Sequence, residues 1–323
     1  MKLKGLTAPV DRELDIFDDR LRDAMKSRVA FVDLIVRYIV RQKGKRIRPA
    51  LVLLSARACG EINESTYRGA SLVEILHTAT LIHDDVVDDA DTRRGIASIN
   101  AVWKNKIAVL MGDYMLAKGL LLSLDNDDFQ FLKIISDAVR RMSEAEILQI
   151  AKSRDLDLDE PTYLRIISDK TASLLSTCCQ IGAASVSRDG SRAEMMKEYG
   201  ENIGMVFQIR DDLLDYTGRK SITGKPTGID LKEKKLTLPL IHSLAQAPKA
   251  ESRRIISLIK NGASGKDIQR IVEFAEVYGG IEYALNKAGE YSSRAVAALG
   301  ALPPSESKNA LGNFITYMMD RTK

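Results

Sequence analysis

Residues 70–95 read ASLVEILHTATLIHDDVVDDADTRRG, and the fold follows from how this stretch is taken. Leu72, Ile75, Leu76, Ala79, Ile82 and Val86 recur at three- and four-residue intervals, the period of a helix with a face in the core. Asp84, Asp85, Asp88, Asp89 and Asp91 then crowd its C-terminal end. That end of a helix is already negative, so each unpaired carboxylate there costs a few tenths to about 1 kcal/mol. The arrangement is incomplete without a cation.

The rest of the chain has the same grain. Only 8 prolines occur in 323 residues, 45% of residues are hydrophobic, and no alternating β-branched run appears, so an all-α fold is expected. The spacing predicts helices at about residues 10–26, 28–42, 47–60, 66–90, 106–125, 128–151, 160–186, 191–217, 232–246, 250–260, 265–276, 278–299 and 304–320. Their connections are short and no Pro/Gly/Ser linker divides them, which points to a single domain over 1–323. The exception is GRKSITGKPTGIDL (218–231), glycine-containing and basic, which has the composition of a mobile lid.

Composition narrows the function. Against 44 acidic residues stand 48 basic ones, a net charge of +4, which argues against a polyanion-coating protein and hence against nucleic acid as partner. Cys59, Cys178 and Cys179 make no disulfide framework, and adjacency is poor geometry for a bridge; a reducing cytoplasm is expected. The N-terminal MKLKGLTAPVDREL lacks the apolar segment of a secretory signal. TASLLSTCCQIGAASVS (171–187) is too short and polar for a span, so no transmembrane segment is expected.

One local echo carries the chemistry. LIHDDVVD (81–88) returns as QIRDDLLD (208–215), again at the end of an apolar helix. Asp84 and Asp88, Asp85 and Asp89, and Asp211 and Asp215 are each four apart, which sets each pair on one helical face. Paired hard oxygens without a Cys or His cluster suit Mg²⁺, which shares one or two carboxylates with substrate phosphates. A lone acidic motif is more often a solvated patch; two copies on buried helices favour metal-bridged phosphate. Calcium is the weaker option because no EF-hand loop is present.

Phosphate also calls for fixed cations. QKGKRIRP (42–49) offers Lys43, Lys45, Arg46 and Arg48 before a helix starting near Pro49; Arg93 and Arg94 follow the first acids; Lys170, Lys225 and Lys235 come later. Arginine suits forked bonding to phosphate and lysine a point charge, although a solvated helix start is the ordinary role for such bases, and for Arg46 the adequate one. His77 reads equally as a phosphate donor or a satisfied core histidine. Phe207, one turn before Asp211, can face a cationic intermediate.

With GKRIRP (44–49), DDVVDDADTRRG (84–95), MGDY (111–114), KTA (170–172), FQIRDDLLDY (207–216) and GKPTGIDLKEKKLTLP (224–239) in this order, the chain resembles the trans-isoprenyl diphosphate synthases, the polyprenyl synthetase family, over essentially its whole length. The resemblance implies an all-α bundle around a deep central cavity, usually a homodimer, that extends an allylic diphosphate with isopentenyl diphosphate. It implies that Asp84 and Asp88 bind two Mg²⁺ ions and Asp211 with Asp215 a third. Lys45, Arg48, His77 and Arg94 would hold isopentenyl diphosphate; Arg93, Lys170, Thr171, Gln208, Lys225 and Lys235 would grip the allylic diphosphate. Two positions depart from the family pattern: Lys43 and Lys234 stand where glycines are common, which bears on lid flexibility more than on chemistry. A class I terpene cyclase and a non-catalytic subunit of a heteromeric synthase are the alternatives. The second motif, DDLLD, lacks the Asn, Ser or Thr and Glu usual in cyclases, and intact motifs argue against an inactive subunit.

Chain length is read from the turns before the first motif. A tail growing from Asp84 back along its helix passes Thr80, Ala79, Leu76 and Ile75 at about 5.4 Å per turn. Short-chain members of the family tend to carry an aromatic residue at the position of Ala79. A methyl group there implies an open path, a medium- to long-chain product of six to ten isoprene units, and a floor near Met115 or Leu122. A short-chain farnesyl or geranylgeranyl synthase is the competing reading, and the long product would be handed to a membrane.

Overall fold

The computed structural model describes residues 3–41, 44–93, 95–187, 190–217 and 228–320. Its main elements are α1 (Asp11–Met25), α2 (Ala30–Arg41), α3 (Ile47–Cys59), α4 (Glu64–Val87), β1 (Thr92–Arg93), β2 (Ile96–Ala97), α5 (Ile99–Leu124) and α6 (Phe129–Asp155). There follow α7 (Glu160–Ile167), a π-helical turn (Ser168–Ala172), α8 (Ser173–Val186) and α9 (Gly190–Thr217). The last are α10 (Leu238–Gln246), α11 (Lys249–Lys260), α12 (Gly265–Val277), α13 (Gly280–Ala298) and α14 (Glu306–Met319). The all-α expectation holds; the only sheet among the described residues is the two-residue antiparallel pair of β1 and β2.

By packing the chain forms two compact units, residues 1–137 with 177–197 and 302–311, and residues 138–176 with 198–301 and 312–323. In the first, α4 lies along α5. A capping box starts α4: the Asn63 side chain accepts from the Thr66 N–H at 3.1 Å while Thr66 Oγ1 accepts from the Asn63 N–H at 3.3 Å, which stabilises the helix by about 1 kcal/mol. Leu72, Val73, Ile75 and Leu76 are buried to 2% exposure or less, each contributing about 1.5–3 kcal/mol. Ile75, Ala79 and Ile82 form one core cluster with Ile35, Val36, Ala108, Met111 and Met115. In the second unit a larger cluster joins Tyr163, Ile167, Ile209, Leu213, Leu240, Ile271 and Phe274.

Several boundaries differ from those the spacing predicts, for identifiable reasons. Helix α4 ends at Val87, with Asp88 as its cap and Asp89 in the left-handed region at φ 48°, so Asp85 and Asp89 do not share a helical face. Helix α5 starts at Ile99 because Ser98 caps it, and it is interrupted at Lys104, φ 72°. The predicted helix at 232–246 is instead a short turn, Ile229–Lys232, followed by α10. Pro239 occupies the first turn of α10, where its missing N–H is harmless. The predicted helix at 160–186 is interrupted by the π-helical turn. Helix α3, by contrast, starts at Ile47 as the spacing predicts, which puts Arg48 inside it.

Helix α5 has the length and mean hydropathy, 1.6 over its most apolar window, to cross a membrane. Lys104, Lys106, Asp113 and Lys118 interrupt it, so it holds no long uncharged run. A core helix meets the same criteria, and its Ala108, Met111 and Met115 are packed in the first unit's core. Cys59, Cys178 and Cys179 are free thiols, all buried.

Candidate active site

The two acid motifs repeat in burial as they do in sequence. In the leading DD doublet of each motif the first aspartate is exposed and the second buried: Asp84 against Asp85 at 4%, Asp211 against Asp212 at 5%. Neighbours on a helix point about 100° apart, so one faces solvent and one the core. The buried carboxylates are matched. Arg93 Nε donates to Asp85 Oδ1 at 2.5 Å, while Tyr163 Oη and Gln208 Nε2 donate to the two oxygens of Asp212, each at 2.7 Å. Asp84 lies in the last turn of α4, which contains no basic residue, and Asp88 caps it in the open.

In the first unit a cavity of about 130 Å³ opens among α1, α2, α4 and β1. Its ionisable lining is Asp18, Arg22, Arg46, Glu74, His77, Asp85 and Arg93. Arg46 reaches it from a left-handed backbone, φ 54°, and is ion-paired with Asp18 and, at 3.6 Å, with Asp15. His77 is 7% exposed. The cavity thus has four bases, counting His77, against three acids, so its cations are able to exchange carboxylate partners for phosphate oxygens. Lys45, which is exposed, and Arg48, half-buried in α3, do not line it.

In the second unit another cavity of about 130 Å³ is lined by Gln149, Tyr163, Lys170, Thr171, Gln208, Asp212, Lys235 and Thr237 among others. Residues far apart in the chain are linked into one network here. Thr171 Oγ1 donates to Gln208 Oε1 at 2.9 Å, and Gln208 passes the chain of bonds to Asp212 and Tyr163. Lys170 Nζ donates to Gln149 Oε1 at 2.8 Å and is ion-paired with Glu146. Asp215 Oδ1 accepts from the Gly228 N–H at 2.8 Å. Two glycines set the backbone spacing: a Cβ at Gly204 would come within 2.4 Å of Ala172 Cα, and one at Gly200 within 2.6 Å of Ser176 Cα, so only glycine lets α9 lie this close.

A family model described as Polyprenyl synthetase matches residues 29–275. The chain belongs to the polyprenyl synthetase family. This polyprenyl synthetase is 37% identical over 321 residues, 98% of each chain, to an all-trans-nonaprenyl-diphosphate synthase (geranyl-diphosphate specific) of Rhodobacter capsulatus. Its fold matches the crystal structure of a decaprenyl diphosphate synthase from Rhodobacter capsulatus with TM-score 0.92 and 32% identity, covering 100% of both chains. It also matches a polyprenyl synthase from Caulobacter crescentus complexed with calcium and isoprenyl diphosphate, with TM-score 0.89 and 32% identity, covering 100% of this chain and 98% of that one. The protein is therefore a trans-prenyltransferase, of a family that works with divalent metal.

Of the residues singled out from sequence, His77 and Arg93 line the first cavity, and Lys170, Thr171, Gln208 and Lys235 line the second. Lys43, Arg94, Lys225 and residues 218–227 of the expected lid lie outside the described residues. Ala79 and Met115 meet in one core cluster; Leu76 is buried beside it in sequence, and Thr80 is half-buried, its hydroxyl donating to the His77 carbonyl at 2.8 Å. Phe207 is half-buried. Sequence reasoning missed the inward roles of Asp85 and Asp212, and missed Tyr163, Glu146 and Gln149 altogether. The doublets themselves were the available signal, since adjacent aspartates on a helix cannot serve one purpose. Among the described residues no three His, Cys, Asp or Glu form a ready-made metal cage. Exposed carboxylates at helix ends fit Mg²⁺ nonetheless, because that ion keeps its waters and takes one or two carboxylates plus substrate phosphates.

Proposed function

We propose that this prenyltransferase condenses isopentenyl diphosphate with an allylic diphosphate to give a medium- or long-chain all-trans polyprenyl diphosphate, with the whole chain, 1–323, as one catalytic domain. The observation that carries the reading is the outward aspartate of the leading doublet of each motif, Asp84 and Asp211, facing solvent while its neighbour is buried. Asp84 and Asp88 would hold two Mg²⁺ ions, and Asp211 and Asp215 a third. Bound magnesium supplies positive charge to the departing diphosphate.

The chain's own residues do the rest. Lys170, Thr171, Gln208 and Lys235 bind and orient the allylic diphosphate in the second unit's cavity, and Lys225 is assigned to the same diphosphate by its motif alone. His77 and Arg46, which line the first unit's cavity, hold isopentenyl diphosphate, and Lys45, Arg48 and Arg94 are assigned to it by their motifs alone; Arg93, which lines the cavity with His77, is assigned to the allylic diphosphate. As the allylic carbon–oxygen bond breaks, fixed cations stabilise the charge developing on diphosphate. The isopentenyl double bond then attacks the allylic carbon, and a proton is lost to the departing diphosphate. Orientation replaces chance encounter, and exclusion of water protects the allylic cation.

The buried methyl group of Ala79 supports a long product, as do relatives named for nine- and ten-unit products. A homodimer is supported by α5, where Val102, Val109, Leu110, Leu120, Leu121 and Leu124 are 37–54% exposed along one face; a second copy would cover it. The free thiols agree with a reducing cytoplasm. Incubating the purified chain with farnesyl diphosphate, isopentenyl diphosphate and Mg²⁺, and weighing the products, tests the reading: a linear polyprenyl diphosphate of six to ten units is expected. A cyclic hydrocarbon, or no product from the chain alone, would overturn it.

A further inference from the structure

The π-helical turn that carries Lys170 is braced by a half-buried arginine. Arg141 Nε donates to Asp169 Oδ1 at 2.6 Å, and its Nη2 donates both to Ser168 Oγ at 3.0 Å and to Glu201 Oε1 at 2.7 Å. Ser168 Oγ in turn donates to Glu201 Oε1 at 2.5 Å. The Arg141 side chain is only 20% exposed, and Asp169 and Glu201 are 17% and 25% exposed. Burial alone would lower the arginine's pKa, but its bonds to Glu201 and Asp169 outweigh that and hold it above the ordinary value. At the end of the turn, Gly204 of α9 abuts Ala172.

A π-helical turn inserts one residue into the helical ladder and re-aims the side chains on it. Here the re-aimed residues are Lys170 and Thr171, which line the second unit's cavity. The turn's own geometry is weak, so what holds it is the fork of Arg141 on Asp169 and Ser168. Lysine could match the charge but not the planar fork. The same helix, α6, supplies Glu146 and Gln149 to the Lys170 ammonium, so adjacent residues Asp169 and Lys170 are both gripped by α6.

We propose that Arg141 is a positioning residue for prenyl transfer: by bracing the π-helical turn through Asp169, Ser168 and Glu201, it fixes Lys170 where the allylic diphosphate binds. The proposal rests on the reading that Lys170 holds that diphosphate, and the test separates the two. Single-condensation kinetics with farnesyl and isopentenyl diphosphates are measured on the full-length wild type, Arg141→Met, Arg141→Lys, Glu201→Gln, Lys170→Ala and the Arg141→Met/Lys170→Ala double variant. Circular dichroism and thermal melts are run alongside. Arg141→Met raises KM for farnesyl diphosphate about tenfold, the scale of losing one charge-assisted contact; KM for isopentenyl diphosphate stays within about twofold. Arg141→Lys and Glu201→Gln give intermediate values, and they carry the test if Arg141→Met does not fold. In the Lys170→Ala background the arginine change has little further effect, because both act on one contact. Equal rises in both KM values, a fall in melting temperature alone, or additive effects in the double variant would overturn the positioning role. If Lys170→Ala itself leaves the farnesyl KM unchanged, the site reading fails, and the positioning role with it.

Discussion

Replacing Ala79 by Phe places a ring in the path assigned to the growing tail. Ala79 is 2% exposed and shares its cluster with Ile75, Ile82, Met111 and Met115, so the ring has no solvent to turn into. It lies five residues before Asp84, about 7.5 Å along the helix axis at 1.5 Å per residue. Allowing one helical turn, about 5.4 Å, per isoprene unit and a few ångströms for the diphosphate and its metal, the ring meets the tail after about two units, so elongation should stop at about three. Overpacking a full core costs about 1–3 kcal/mol, and at roughly 2–4 °C per kcal/mol for large domains the melting temperature falls by about 2–12 °C. The assay is mass analysis of products made from farnesyl and geranyl diphosphates, with initial rates of the first condensation measured separately. The expected result is a first condensation from geranyl diphosphate near the wild-type rate, little elongation of farnesyl diphosphate, and products confined to short chains. Met115→Ala should act in the opposite sense, lengthening products at a cost of about 2–5 kcal/mol for the cavity left behind. Unchanged products from Ala79→Phe, with the protein folded and active, would show that the tail does not pass this residue.

Asp84→Ala and Asp211→Ala should each remove most turnover while leaving helical circular dichroism intact, since both side chains are on the exposed faces of their helices; near-wild-type activity in either would refute its metal role. Lys234 adopts a left-handed conformation, φ 58°, on an exposed turn, so Lys234→Gly should relieve strain worth about 1–2 kcal/mol less the entropy glycine adds to the unfolded chain. A net gain of about 0.5–1 kcal/mol in urea unfolding is expected, and a loss would show that the lysine side chain holds the turn. Burial pushes the Cys59 thiol up to about 11, against a weaker lowering by Arg192. A raised folded pKa for an acid means that the unfolded chain loses its proton first. Stability is therefore present below about pH 9, declines as pH rises toward 11, and changes no further above that. Cys59→Ala should thus show a stability deficit at pH 8 that shrinks on the order of 2–3 kcal/mol by pH 11; a constant deficit would contradict the shift.

The helices were legible because a core-facing stripe is written in the sequence at a fixed period. Helix α4 can be read from Leu72, Ile75, Leu76, Ala79 and Ile82 alone, and α9 from the matching apolar run before Asp211. The family motifs likewise mark Lys170 and Lys235, the two lysines that line the second cavity. What could not be read was local backbone geometry that no side-chain period encodes. The π-helical turn at Ser168–Ala172 shifts the ladder by one residue without changing composition, the strands β1 and β2 are too short to show alternation, and Lys104 breaks α5 with an ordinary helix-forming residue. Nor does sequence say which cations of a basic run reach a cavity. In GKRIRP it is Arg46, the residue read as ordinary, whose left-handed backbone delivers its guanidinium to the first cavity.

The doublets explain how one motif can serve both folding and chemistry. Two adjacent carboxylates in the same environment would repel, and burying either without partners would cost several kcal/mol. Their separation of about 100° on the helix resolves this. Asp85 and Asp212 are taken into the fold, where Arg93, or Tyr163 and Gln208, satisfy the charge with short directed bonds. Those bonds tie the acidic helix ends to the residues that line each cavity, since Arg93 lines the first, and Tyr163 and Gln208 the second. Asp84 and Asp211 stay outside, on helices whose last turns contain no basic side chain. The position of the outer carboxylate is thus set by the anchoring of the inner one, and its exposed oxygens suit a cation that arrives from solution with its own waters.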